Sequence, residues 1–208
     1  MKQIFKLSII FFSLFLYGCS TKDDPATQNT SNSDNLNLDF ESRSSKDASL
    51  PAVWYTGTLD QNAVGGDIFQ ISLDDLEKHS GNLSLKMEMT SAPNGKFGVF
   101  TNPNTLPIED FAGKSVLYSG WIKTKNVNYV DKNGALGLWF RVDGANNETL
   151  GFGSTYSIIL EGDNNWKFES VKIDVSKDAK AIYFGGVFAA KGTVWFDNLQ
   201  LSVNGTKY

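Results

Sequence analysis

The chain has 208 residues, with 23 acidic against 19 basic side chains for a net charge of −4, and it contains one cysteine and one histidine. That acidic balance argues against nucleic acid as a partner, because phosphate recognition needs a concentration of Lys and Arg. The lone cysteine excludes an internal disulfide, and a single histidine makes a zinc enzyme or a Ser-His-Asp hydrolase hard to build.

The first 18 residues read as a leader: a basic start, Met1 to Lys6, and then an apolar run from Leu7 to Leu16. The run is too short to span a bilayer comfortably and lies where a secretory signal peptide lies. It closes in Leu16-Tyr17-Gly18-Cys19, which resembles the lipobox of bacterial lipoproteins, although Tyr17 departs from the small or aliphatic residue usual there. The resemblance implies cleavage before Cys19 and acylation of that residue, a durable membrane tether when several chains are attached. An ordinary thiol in a transmembrane anchor is the alternative. Loss of Lys2 and Lys6 with the leader takes 19 basic residues to 17 against 23 acidic, a net charge of −6. Ser20-Thr21-Lys22-Asp23-Asp24 is similar to the acidic surface-export signal of Bacteroidetes-type lipoproteins. It implies an outer-membrane protein displayed outward, with the periplasmic face as the alternative. Residues 19–35 are Ser-, Thr-, Asn- and Asp-rich with almost nothing apolar, the composition of a flexible stalk.

Residues 36–208 form one domain of short apolar runs broken by Gly, Asn and Asp, long enough to bury about two thirds of its unfolded surface in a single core. Leu83, Leu85, Met87 and Met89 alternate with polar residues, and Leu136, Leu138, Phe140 and Val142 do so against Gly137, Trp139, Arg141 and Asp143. This two-residue period is that of a half-buried strand. Further strands are expected at Leu36–Glu41, Ile68–Leu73, Lys96–Thr101, Lys114–Lys125, Trp166–Val175, Lys180–Ala189 and Thr193–Val203. Asn94-Gly95, Asn133-Gly134, Asp143-Gly144 and Lys191-Gly192 supply turns, and only Leu73–Lys78 offers a helical turn. The pattern predicts an all-β fold, a two-sheet antiparallel β-sandwich.

Five landmarks in order carry a second resemblance: Leu38-Asp39-Phe40-Glu41, His79 to Leu85, Tyr118 to Thr124, Asn165 to Glu169, and the closing Val194-Trp195-Phe196-Asp197-Asn198-Leu199. Together they resemble the galactose-binding-like jelly rolls that include many carbohydrate-binding modules. The resemblance implies a structural calcium held by Glu41 and Asp197. Counting by twos from Leu199, Leu201 and Val203 also puts Asp197 and Trp195 on the apolar face, where a carboxylate needs a cation or hydrogen bonds. A β-bulge turning Asp197 outward, or backbone amides satisfying it, are the alternatives.

A sugar site needs an aromatic platform beside planar hydrogen-bonding groups. Trp139 and Arg141 share the strand face opposite Leu138 and Phe140, and Asp143 ends the same row; a neighbouring strand or loop could equally cover Trp139 as second-layer core. Trp54 and Tyr55, in a loop-like stretch after Pro51, are a cleft wall or an end cap. Trp121, Trp166 and Trp195 read as core, and His79 as a surface turn residue. No spacing nominates the carboxylate pair of a glycosidase, and the Glu-x-Asp-x-x-Glu and Gln-x-His patterns of jelly-roll glucanases and lyases are absent. The expected function is therefore a non-catalytic lipoprotein that binds glycan or polysaccharide at the cell surface. The alternatives are a structural or assembly lipoprotein docking an outer-membrane protein complex and, third, a polysaccharide hydrolase or lyase.

Overall fold

A computed structural model describes residues 36–60, 69–93, 95–102, 106–130, 134–156 and 160–208. The expected leader, Cys19 and the stalk lie outside the described residues. In chain order the strands are β1 (Tyr55–Asp60), β2 (Gln70–Asp74), β3 (Ser84–Met89), β4 (Lys96–Thr101), β5 (Ser115–Asn128) and β6 (Leu136–Asp143). They continue with β7 (Thr149–Ser154), β8 (Gly162–Asp174), β9 (Ala181–Phe188), β10 (Lys191–Val203) and the short β11 (Thr206–Lys207). One sheet has the order β1-β4-β9-β6-β7; the other runs β2-β3-β10-β5-β8, with β11 added beside β10. The recorded pairings are antiparallel.

The fold is the expected two-sheet antiparallel β-sandwich, and the alternation explains its core. Leu136, Leu138, Phe140, Ile182, Phe184 and Phe188 point inward from the five-stranded sheet and are fully buried. They meet Leu85, Met87, Tyr118, Ile122, Val194 and Phe196 from the six-stranded sheet, which are equally buried. At about 25 cal/mol per Å² this apolar contact is the main favourable term, and swapping the phase of any one strand would turn its whole apolar set to water.

Three elements differ from the sequence reading. Leu36–Glu41 is a turn, not a strand, because Asn37 and Phe40 adopt left-handed backbone (φ 49° and 61°). The Asn37 side chain accepts a bond from the Ser42 amide and donates to the carbonyls of Ser42 and Ala52, holding the turn shut. The first strand is instead β1, which begins at Tyr55. β7 was not expected: its inward positions are Gly151 and Gly153, where an added Cβ would press within 3.1 Å of Ile173 and 3.3 Å of Val171, and its apolar Leu150 and Phe152 are exposed. Asp74 to Lys78 bends without forming a helical turn, and a short 3-10 turn occurs instead at Ile108–Asp110.

Candidate functional site

β6 lies between β9 and the edge strand β7, so its outward side chains sit one strand in from the edge of the five-stranded sheet. Register places Trp139 between Gly185 of β9 and Ser154 of β7, and Arg141 between Tyr183 and Phe152. Followed outward, the Trp139 row continues through Thr101 of β4 to Tyr55 of β1, crossing all five strands. At the usual inter-strand spacing of about 4.8 Å that row spans about 19 Å. Gly185 is required there, because a side chain would collide with the carbonyl oxygen of Phe100. Half-buried Trp139 therefore stands beside a position that stays bare. The indole leans on a small outer cluster of Val99, Ala135, Val187 and Ala189, shared with Phe97.

Arg141 donates from Nε to Oδ1 of Asp143 at 2.6 Å, and their side chains are 17% and 6% exposed. Phe152 and Tyr156, 53% and 44% exposed, meet edge to face at 6.2 Å beyond them, and Tyr55 is 56% exposed at the other rim. The structure thus brings Trp139, Arg141, Asp143 and Tyr55 onto one face and adds Phe152, Tyr156 and Tyr183. Of these, Phe152 sits in an unrecognised strand, so no sequence pattern marked its direction.

Trp54 is not part of this face. It is 8% exposed, donates from Nε1 to the Asn37 carbonyl at 2.9 Å, and packs against Phe40, Phe100 and Phe184 at 5.3–5.8 Å. It is a core residue, corrected from the expected cleft wall, because Tyr55 opens the extended strand β1 and successive side chains there point to opposite sides.

Asp197 and Trp195 also change sides. The β10 register slips between Asp197 and Gln200, with Asn198 at φ 47°. That bulge breaks the alternation, so Val194 and Phe196 before it and Leu199 and Leu201 after it all face the core, while Asp197 faces out. Asp197 Oδ2 accepts the amides of His79 and Ser80 at 2.7 and 2.9 Å, and Oδ1 accepts that of Asn198 at 2.6 Å. Glu41 grips the same loop, its Oε1 accepting the amides of Asn82 and Leu83 at 2.6 and 3.0 Å and its Oε2 the Asn82 side chain at 3.0 Å. All four carboxylate oxygens thus receive N–H donors, two each on Glu41 Oε1 and Asp197 Oδ2 and one each on Glu41 Oε2 and Asp197 Oδ1. Among the described residues no group of three or more His, Cys, Asp or Glu could hold a metal. These residues act as a clamp on residues 79–83. Burial pushes Asp197 above its ordinary value despite those amides. For Glu41 burial also pushes upward, but the bonds from Leu83 and Asn82 and the nearby Lys78 outweigh it and hold it low.

No family model matches the chain. A stretch of 132 residues is 28% identical to the uncharacterized HTH-type transcriptional regulator YbfP of Bacillus subtilis, covering 63% of this chain and 42% of that protein. Among solved structures, the enzymatically active domain of bacteriophage CBA120 tailspike protein 4 superposes with a TM-score of 0.53 at 12% identity, over 80% of this chain and 21% of the tailspike chain. A Stig cyclase from Fischerella sp. TAU gives 0.52 at 13% identity, over 82% and 96% of the two chains. The CBM22-1 xylan-binding domain from Paenibacillus barcinonensis gives 0.50 at 14%, over 80% and 91%. These likenesses concern architecture. The fold is a jelly roll like those of carbohydrate-binding modules.

The other sheet of this jelly roll carries a second aromatic group. His79 stacks on Trp121 at 4.0 Å and 15°, Trp166 meets His79 edge-on at 5.7 Å, and Phe168, 49% exposed, meets Trp121 at 5.5 Å. Trp121 and Trp166, expected in the core, lie half-buried on this outer surface. Trp195 is buried on the same outer side, its Nε1 donating to Asp74 at 2.9 Å. The clamp on residues 79–83 is what seats His79 on the indole.

Proposed function

We propose that this protein is a non-catalytic binding module whose outer five-stranded face takes glycan. The Trp139–Arg141 face carries the reading: a half-buried indole over a bare glycine position, a guanidinium beside it, and exposed aromatic rims at Tyr55 and Phe152. A sugar ring has an apolar CH face suited to the indole and a hydroxyl rim suited to Arg141. The likeness in fold to a xylan-binding domain supports the reading. The lipobox-like Cys19 and the polar stalk support export and anchoring at the outer membrane, with the face displayed to glycans outside the cell. In affinity electrophoresis against soluble polysaccharides, the full chain is expected to be retarded by at least one, and Trp139→Ala to run free. Equal retardation of the two would remove the proposal.

The assembly reading has its own observation, the aromatic group around His79 and Trp121 on the opposite sheet. Exposed apolar surface of this kind marks many docking sites. Crosslinking in whole cells from position 168 would recover an outer-membrane protein under that reading, and nothing under the first alone.

A further inference from the structure

The Arg141–Asp143 pair bears on which glycans this face accepts, and the inference rests on the glycan reading above. Arg141 and Asp143 are alternate residues on one strand face, joined at 2.6 Å through Nε. Asp143 is 4% exposed, and its own backbone carbonyl accepts the Lys180 amide at 2.8 Å, so the main chain that carries the buried carboxylate is held. Among the described residues, the remaining strand positions on this face are aromatic, aliphatic, hydroxyl or glycine. The strand positions of this face therefore carry one positive and one negative charge, in contact.

We infer that Asp143 is a positioning residue that makes the face select uncharged glycans over acidic ones. A bond through Nε restrains the guanidinium and leaves N–H donors on its terminal nitrogens for other acceptors. Donors held in that way suit hydroxyl oxygens, which need direction rather than charge. A uronate carboxylate gains little there, because the attraction of Arg141 is cancelled at close range by Asp143 and the two anions repel. Stripping Arg141 from its partner would leave a buried carboxylate unpaired, a costly exchange.

The test compares the full chain with Asp143→Asn, which keeps an oxygen acceptor for Arg141 Nε and removes the negative charge. Isothermal titration uses neutral probes (xylohexaose, cellohexaose, mannohexaose) and acidic ones (hexagalacturonate, hexamannuronate). Wild type is expected to bind a neutral probe and to bind the acidic ones about tenfold or more weakly. Asp143→Asn is expected to gain about tenfold for an acidic probe, with the gain shrinking as salt is raised. Tighter wild-type binding of an acidic probe, or an unchanged ratio in Asp143→Asn, overturns the inference while leaving the glycan face standing. Binding of no probe, with Trp139→Ala indistinguishable from wild type, removes both. Circular dichroism and a thermal melt of Asp143→Asn verify that the fold survives; if it does not, the conservative Arg141→Lys, which removes the Nε bond and keeps the charge, must likewise narrow the neutral-over-acidic ratio.

Discussion

The Tyr118 hydroxyl sits in the core with its ring 5.0 Å from that of Phe184, fully buried and without a hydrogen-bond partner among the described residues. Burial pushes its phenol well above the ordinary value. A buried donor without a partner costs about 1–3 kcal/mol, so Tyr118→Phe is expected to leave stability unchanged or raise it by about 1 kcal/mol in urea unfolding. A clear loss would mean that the hydroxyl is satisfied. The two tryptophans of the sequence argument separate at the same scale. Trp54→Ala empties space among Phe40, Phe100 and Phe184 and should cost about 3–5 kcal/mol, whereas Trp139→Ala should cost far less and act on binding. Val53 occupies left-handed backbone at φ 75° while 44% exposed. β-Branched residues are strained there, and Val53→Gly should raise the melting temperature.

At the scale of elements, the carboxylates Glu41, Asp74 and Asp197 shape the response to acid. Glu41 and Asp74 are both held below their ordinary carboxylate values. Burial pushes Asp74 upward, but the Trp195 indole, the amides of Leu76 and Glu77, and Lys86 outweigh it. The stability these two groups contribute is present above their usual values and is lost as pH falls through the lower folded ones. Asp197 runs the other way: its folded value is raised, so taking up a proton in acid offsets part of that loss. Glu41→Gln should therefore be less stable than wild type at neutral pH and lose less between about pH 5 and pH 3, read by chemical denaturation. Because amides already satisfy Glu41 and Asp197 without a cation, excess EGTA should leave the melt unchanged; a fall of several degrees would support the expected calcium. β3, β4 and β6 were legible in the sequence because alternation is a local property set by which face meets the core. Leu36–Glu41 was not, since its apolar residues are buried from a turn that depends on Asn37 reaching Ala52. The side on which Asp197 falls was not legible either, since the Asp-Asn pair that permits a bulge is also an ordinary strand end. For the candidate face, Trp139 and Arg141 were legible as neighbours on one strand, whereas Tyr183 and Phe152 came beside them only through pairing with β9 and β7.

The molecule as a whole presents two aromatic surfaces on opposite sheets, and each can be occupied without the other. A ligand that binds only the folded state raises its melting temperature. A neutral hexasaccharide is expected to do so in wild type and not in Trp139→Ala, while Phe168→Ala keeps the shift; loss of the shift in Phe168→Ala would mean that the two surfaces are coupled. The β10 bulge has a further consequence, in the arithmetic of insertions and deletions. Removing one residue from a strand ordinarily turns every later side chain over and destroys the core. In β10 the extra residue is the bulge itself, with Asp197 opposite Trp121 and Gln200 opposite Ser119. Deleting Asn198 would draw Leu199 opposite Gly120 and leave Leu199, Leu201 and Val203 facing inward. Descendants of this gene could shorten at that codon and keep their core, and what they would give up is the kink that turns Asp197 toward the His79 loop.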